Sequence, residues 1–152
     1  MRRNDKQIQD KQEIEEILAL GKVVRIAFSG PEPYLLPMNY GYNKGAIYIH
    51  CAPVGKKLDL IRNNPKVAFE VTIDDSLKSG ETACAFGYKY RCVIGSGTAL
   101  IVEDEWEKIS GLNILMKQQA GLHNPLYEKE MTDKVAVFKV IIGEMTGKKS
   151  GF

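Results

Sequence analysis

Apolar residues recur along this chain with two different periods, and the switches between them mark out its elements. Lys66 to Ile73, KVAFEVTI, alternates most cleanly: Val67, Phe69, Val71 and Ile73 share one face, and Lys66, Ala68, Glu70 and Thr72 the other. That is the pattern of a half-buried strand. Lys22 to Ser29, KVVRIAFS, is a shorter β-branched run, and Gly30-Pro31-Glu32-Pro33 turns the chain after it. Tyr34 to Tyr42, YLLPMNYGY, predicts a second strand interrupted at Pro37 and Gly41; because proline lacks an N–H, Pro37 implies an edge, a bulge or a segment facing a ligand. Asn43-Lys44-Gly45 supplies a tight hairpin turn into a strand over Ala46–Cys51. Long strands follow within Phe86–Val102, with bends expected at Gly95 and Gly97, and over Val135–Ile142.

Helical spacing appears three times. Asp5 is placed to cap a helix running to about Leu20, with Ile8, Ile14, Ile17 and Leu18 inward and Gly21 as the stop. Lys56 to Asn63 predicts a short helix ended by Asn64-Pro65, since the residue before proline is pushed out of the helical region. Glu103 to Gln119 predicts a third, with Trp106, Ile109, Leu112, Leu115 and Met116 covering one side of a sheet. Residues 74–82 and 121–130 read as loops, and Thr146 to Phe152 as a flexible tail. The order is helix, three strands, helix, two strands, helix, strand. Hairpin-like links favour antiparallel pairing, so the expected class is α+β, mainly β: six strands closing into a small barrel with helices outside.

Composition narrows the function classes. At 152 residues one domain spanning 1–152 is expected, with residues 1–21 as its N-terminal helical segment and 146–152 as its tail. A net charge of +2, with no basic block longer than two residues, does not argue for nucleic acid. No apolar run approaches the roughly 20 residues of a membrane helix. MRRNDKQIQD has no signal-peptide core, so a cytoplasmic protein is expected. Three cysteines without CxxC spacing favour reduced thiols.

The richest stretch chemically is Ala46 to Asn64, AIYIHCAPVGKKLDLIRNN. It delivers His50 at a strand end, then a Pro-Gly loop, then Gly55-Lys56-Lys57 at a helix start. Two cations at the positive end of a helix dipole, beside unpaired N–H groups, call for an anion. Arg91, with its planar set of donors, is a second candidate anion clamp. Arg2 and Arg3 precede the first helix, either solvated or folded onto an anion or a partner subunit. Backbone around Met38-Asn39-Tyr40 could hydrogen-bond a planar heterocycle, or form a plain barrel bulge. His50 and Cys51 are neighbours on a strand and point to opposite faces, which disfavours a nucleophilic pair. His50, Cys84, Cys92 and His123 match no zinc spacing, and helix-end electrostatics explains Glu103-Asp104-Glu105, so no metal is expected.

Taken together, MRRND, RIAF, YLLPMNYGY, IYIHCAPVGKKLDLIRNNPKVAFEV, YKYRCVIGSGTALIV and the terminal strand with MTGK resemble the pyridoxamine 5′-phosphate oxidase-like split-barrel proteins, in the branch of 5-nitroimidazole-resistance proteins. The resemblance spans nearly the whole chain in order. It implies a six-stranded antiparallel split β-barrel with flanking helices, and a homodimer with FMN at the subunit interface. It implies a flavin ring against Pro37, Met38, Asn39 and Tyr40, and a phosphate near His50, Ala52, Gly55, Lys56 and Lys57. Arg91, Cys92 and Val93 would line the same site, in part from the other subunit. Cys92 stands where relatives commonly have serine, and Lys6 where a second arginine is expected. The implied activity is FMN-dependent reduction of a small nitro-type acceptor, with a nicotinamide or other electron donor and His50 orienting substrate or delivering a proton. The alternative is a non-catalytic flavin- or haem-binding protein on the same barrel.

Overall fold

A computed structural model describes residues 4–152; Arg2 and Arg3 lie outside the described residues. After a single 3-10 turn come β1 (Gln7–Ile8), α1 (Lys11–Leu20), β2 (Val23–Phe28), β3 (Tyr34–Asn39), β4 (Gly41–Asn43), β5 (Ala46–Cys51) and α2 (Lys56–Asn63). The chain continues through β6 (Lys66–Lys78), β7 (Gly87–Ile101), α3 (Glu105–Ala120), α4 (Lys129–Thr132) and β8 (Ala136–Ser150). Every pairing is antiparallel, along the path β3-β2-β6-β7-β8-β5-β4. The two ends of that path are halves of one strand that bends at Tyr40. Its first half pairs with β2 and its second with β5, so the sheet returns on itself as a barrel. The expected six strands thus appear with Tyr34–Tyr42 divided in two and the short β1 added against β8.

Alternation places the core. Val24, Ile26 and Phe28 of β2 and Val67, Phe69 and Val71 of β6 point inward with Phe138 and Val140 of β8. Burying each such side chain contributes about 1.5–3 kcal/mol. Ile14, Ile17 and Leu18 of α1 close the barrel toward Val71 and Val93, while Leu58 and Ile61 of α2 close it toward Val67 and Ala99. α3 lies outside, over β4 and β5, where Leu112 joins Val102 and Val137 in a second small core with Tyr48. The hairpin between β4 and β5 turns on Lys44 (φ 44°) and Gly45 (φ 80°), the left-handed pair that a two-residue hairpin requires.

Four expectations are corrected. The first helix begins at Lys11, capped by Asp10 accepting from the Gln12 N–H, because Ile8 belongs to β1 and pairs with Gly147. Residues 74–78 of the expected loop extend β6 after a register shift between Ile73 and Ser76. The supposed tail is strand: Thr146 to Ser150 pair with Ile94 to Tyr90. Trp106 covers no sheet; it is 86% exposed in the first turn of α3, where Asp104 caps the helix.

Tyr40 carries the bend and is fully buried, its hydroxyl donating to the Leu18 carbonyl at 2.7 Å. Burial pushes its phenol above the usual tyrosine range. Burial, helped by the hydrogen bond to Glu15, pushes Tyr42 up to about 12. In the unfolded chain both ionise near pH 10, so above about pH 10 the folded state holds more protons and stability falls as pH rises. The melting temperature is therefore expected to drop between about pH 10 and 12, less steeply in Tyr40→Phe. An identical slope in wild type and variant would refute this account of Tyr40.

Candidate functional site

β5 ends with His50 exposed on its outer face and Cys51 turned toward the core, as strand alternation requires. The chain then crosses exposed Ala52, Pro53 and Val54 to Gly55, whose φ of 137° and ψ of 166° are open essentially only to glycine. α2 begins there without any side-chain cap. The Gly55 carbonyl accepts from Leu58 and Asp59, and the N–H groups of Lys56 and Lys57 sit at the open end of the helix. Lys56 is exposed, its Nζ 4.7 Å from the centre of the Tyr34 ring; Lys57 is half-buried. Among the described residues neither lysine forms an ion pair. Such a helix end can take up a phosphate or carboxylate with few changes.

β3 runs from the Tyr34 contact away from this helix start. Its one ladder partner among the described residues is β2, so its second edge is open. Leu35, Pro37 and Asn39 face outward, and Tyr34, Leu36 and Met38 pack on the core. The Asn39 amide is committed to the Lys22 carbonyl and Gln119. Tyr40 is occupied in the core, so of this segment Pro37 and the open backbone edge are what a ligand could meet.

Arg91, Cys92 and Val93 are not brought to α2 in this chain. Thr98 pairs with Lys66, just beyond α2, and Arg91 lies seven positions further along β7. At about 3.3 Å per residue that is roughly 23 Å. Arg91 is held by Asp74, with Nε donating to Oδ2 at 2.7 Å and a second contact at 2.7 Å, and its guanidinium stands 5.6 Å from the Phe152 ring. Val93 is fully buried in the core. Cys92 faces outward but is buried, and burial pushes its thiol up; burial does the same for Cys51, with Lys57 opposing. Sequence reading missed Asp74 as the arginine's partner and Tyr34 as the platform for Lys56. The one local signal for the latter was an aromatic opening the strand after Gly30-Pro31-Glu32-Pro33.

Among the described residues the outward face of β3, β2, β6 and β7 has no helix over it, and α3 covers only the Val137 end of β8. The uncovered surface carries exposed Leu35 (58%), Ile94 (50%), Leu100 (43%) and Ile141 (42%), with small Ala27 and Ala68 between. Among the described residues no helix is long and apolar enough to cross a membrane.

Residues 10–149 match the family model described as pyridoxamine 5′-phosphate oxidase. The chain belongs to that family. Among solved structures, a candidate 5-nitroimidazole antibiotic resistance protein from Bacteroides thetaiotaomicron is 28% identical, with a TM-score of 0.82 over 94% of this chain and 86% of that one. The FAD and haem binding protein of Mycobacterium smegmatis shares the fold at 17% identity, with a TM-score of 0.82 over 97% of this chain and 74% of that one. An uncharacterized protein of Rhizobium meliloti is 29% identical over 65 residues, a match spanning 42% of each chain. The pyridoxamine 5′-phosphate oxidase-like split barrel, mainly antiparallel β with flanking helices, is thus the architecture read from the sequence.

Proposed function

We propose that this chain is an FMN-dependent oxidoreductase that reduces a small, flat, nitro-type acceptor, working as a homodimer with the flavin between two copies. One observation carries the reading: the uncapped start of α2, where Gly55, Lys56 and Lys57 present N–H groups and two cations without an anionic partner among the described residues. These residues would hold the phosphate. The open edge of β3 beside Pro37 would offer backbone groups to the ring. His50, exposed at the end of β5, would orient the acceptor or hold a proton for it.

The second copy is argued from the uncovered sheet face. Dimers are common in this family. Leu35 on that face adjoins Tyr34, against which Lys56 packs. A two-fold axis through the face would lay the strands of two copies head to tail, bringing the Arg91–Val93 end of one beside the Lys56 end of the other. Such an arrangement offsets the roughly 23 Å separation within one chain. When bound, FMN supplies reversible electron transfer; the protein's part is to position it and shape access.

The test is a visible spectrum of the freshly purified protein, followed by anaerobic addition of NAD(P)H and then a nitroaromatic acceptor. Flavin bands that bleach with the donor and return with the acceptor are expected. A colourless protein that takes up no FMN in titration would sink the reading. A Soret band would favour the second reading, a haem-binding module on the same barrel, which the haem-binding neighbour of the same fold suggests.

A further inference from the structure

β6 and β7 run past the rest of the sheet. β2 pairs with β6 only as far as Glu70, and β8 leaves β7 at Tyr90, where Ser150 is the last partner. Beyond those points, among the described residues, Ser76 to Lys78 and Gly87 to Lys89 pair only with each other. The result is a hairpin arm with no neighbouring strand on either side. A two-stranded hairpin is marginally stable by itself in water, so apolar side chains on it call for a covering surface. Leu77 (64% exposed) and Tyr88 (52%) are direct cross-strand partners and share one side of the arm. Alternation from the buried Val93 puts Tyr88 on the same side of β7 as Cys92 and Ile94, so the arm prolongs the uncovered sheet face.

We propose that this arm reaches across to a second copy of the chain and covers its cofactor site, with Leu77 and Tyr88 lying against the loop from Ala52 to Gly55. The assignment rests on the homodimeric flavin site proposed above. The arm cannot serve the site of its own chain. Tyr88 stands ten positions along β7 from Thr98, the partner of Lys66, which is roughly 33 Å from the α2 end of its own barrel. In the two-fold arrangement that sets Arg91 beside Lys56 of the other copy, Tyr88 is three residues further out, roughly 10 Å past that point and over the loop that leads into α2.

The two surfaces match in character. The loop is exposed and apolar, with Ala52, Pro53 and Val54, the last of them 77% exposed. On the arm, Asp74 is taken by Arg91, whereas Asp75 and Glu81 form no ion pair among the described residues. The barrel end that the arm would meet carries Lys56, Lys57 and Lys66, which form none either. Three cations exceed the charge of about −1.5 to −2 on one phosphate, which leaves room for an acidic arm beside it. Each flavin site is then incomplete without the arm of the other copy.

Mixed dimers test the crossing. One variant carries Lys56→Ala and Lys57→Ala; the other carries Leu77→Ala and Tyr88→Ala, both at exposed positions that the fold does not need. The arm variant by itself should bind FMN about tenfold more weakly than wild type, and Tyr88→Phe alone should bind it normally. The two variants are then co-expressed with different affinity tags, and dimers that hold one of each are purified through both tags and titrated with FMN. If the arms cross, one site of the mixed dimer carries both defects and the other carries neither, so about one FMN per dimer binds with wild-type affinity. If each arm served its own copy, every site would carry one defect and no site of wild-type affinity would appear, which would overturn the proposal. Wild-type affinity in the Leu77→Ala, Tyr88→Ala homodimer would overturn it as well, while leaving the flavin reading standing. A wild-type protein that takes up no FMN would overturn both together.

Discussion

A protein carrying Lys56→Ala and Lys57→Ala together is expected to bind FMN at least about 100-fold more weakly than wild type, with little change in melting temperature. Charge-assisted hydrogen bonds to a phosphate contribute about 1.5–3 kcal/mol each, and tenfold in affinity is about 1.4 kcal/mol. Stability has no comparable stake in these side chains. Lys56 is exposed, and its contact with Tyr34 is worth about 0.5–1 kcal/mol at such a site. Removing two cations from the positive end of a helix dipole acts in the opposite direction by a similar amount. Riboflavin provides the decisive arm because it has the ring without the phosphate. Its affinity should be nearly the same in wild type and variant. A loss of riboflavin binding as large as the loss of FMN binding would mean that the lysines shape the pocket generally. Unchanged FMN affinity would remove the phosphate from α2 altogether.

What the sequence disclosed was what is decided locally. The alternation in β6 and β2 specifies which side chains fill the barrel, and the structure buries Val67, Phe69, Val71, Val24, Ile26 and Phe28 accordingly. The Gly55-Lys56-Lys57 helix start was legible for the same reason: capping, dipole and glycine conformation are settled within a few residues. The misread segments are governed by partners far along the chain. Residues 146–150, TGKKS, have no apolar alternation, yet they form strand because β7 offers them a backbone ladder. Asp5 and Asp10 are both suitable caps, and the choice goes to Asp10 because Ile8 is drawn into pairing with Gly147 near the other end of the chain.

The same division runs through the candidate sites. Arg91 read as a free anion clamp because nothing in YKYRCV announces Asp74, which reaches it from the irregular stretch of β6 between Ile73 and Ser76. Asp74 itself sits at φ 56°, a left-handed position that aspartate tolerates better than most residues.

A large loss of stability from a single added methyl group is expected at Gly41, where Gly41→Ala should lower stability by about 3 kcal/mol. A Cβ placed there would lie 2.6 Å from the Leu115 Cα, 2.6 Å from its nitrogen and 2.7 Å from the Ile114 carbonyl carbon. All three are backbone atoms of α3, so no side-chain rotation can relieve the contact. The helix itself cannot withdraw easily, because Gln118 and Gln119 tie it to Leu18, Gly21, Lys22 and Tyr40. Gly41 also follows the Tyr40 bend that closes the barrel, so strain there is shared by the β4–β5 ladder and the α1 contact. For a chain of this size the change corresponds to about 6–12 °C in melting temperature. Gly45→Ala is the matched control: its added methyl meets nothing within 4 Å, and its cost comes only from a φ of 80°. That cost is about 1 kcal/mol. Denaturant unfolding of the two variants beside wild type should rank Gly41→Ala clearly below Gly45→Ala. Equal midpoints would show that α3 moves freely over β4.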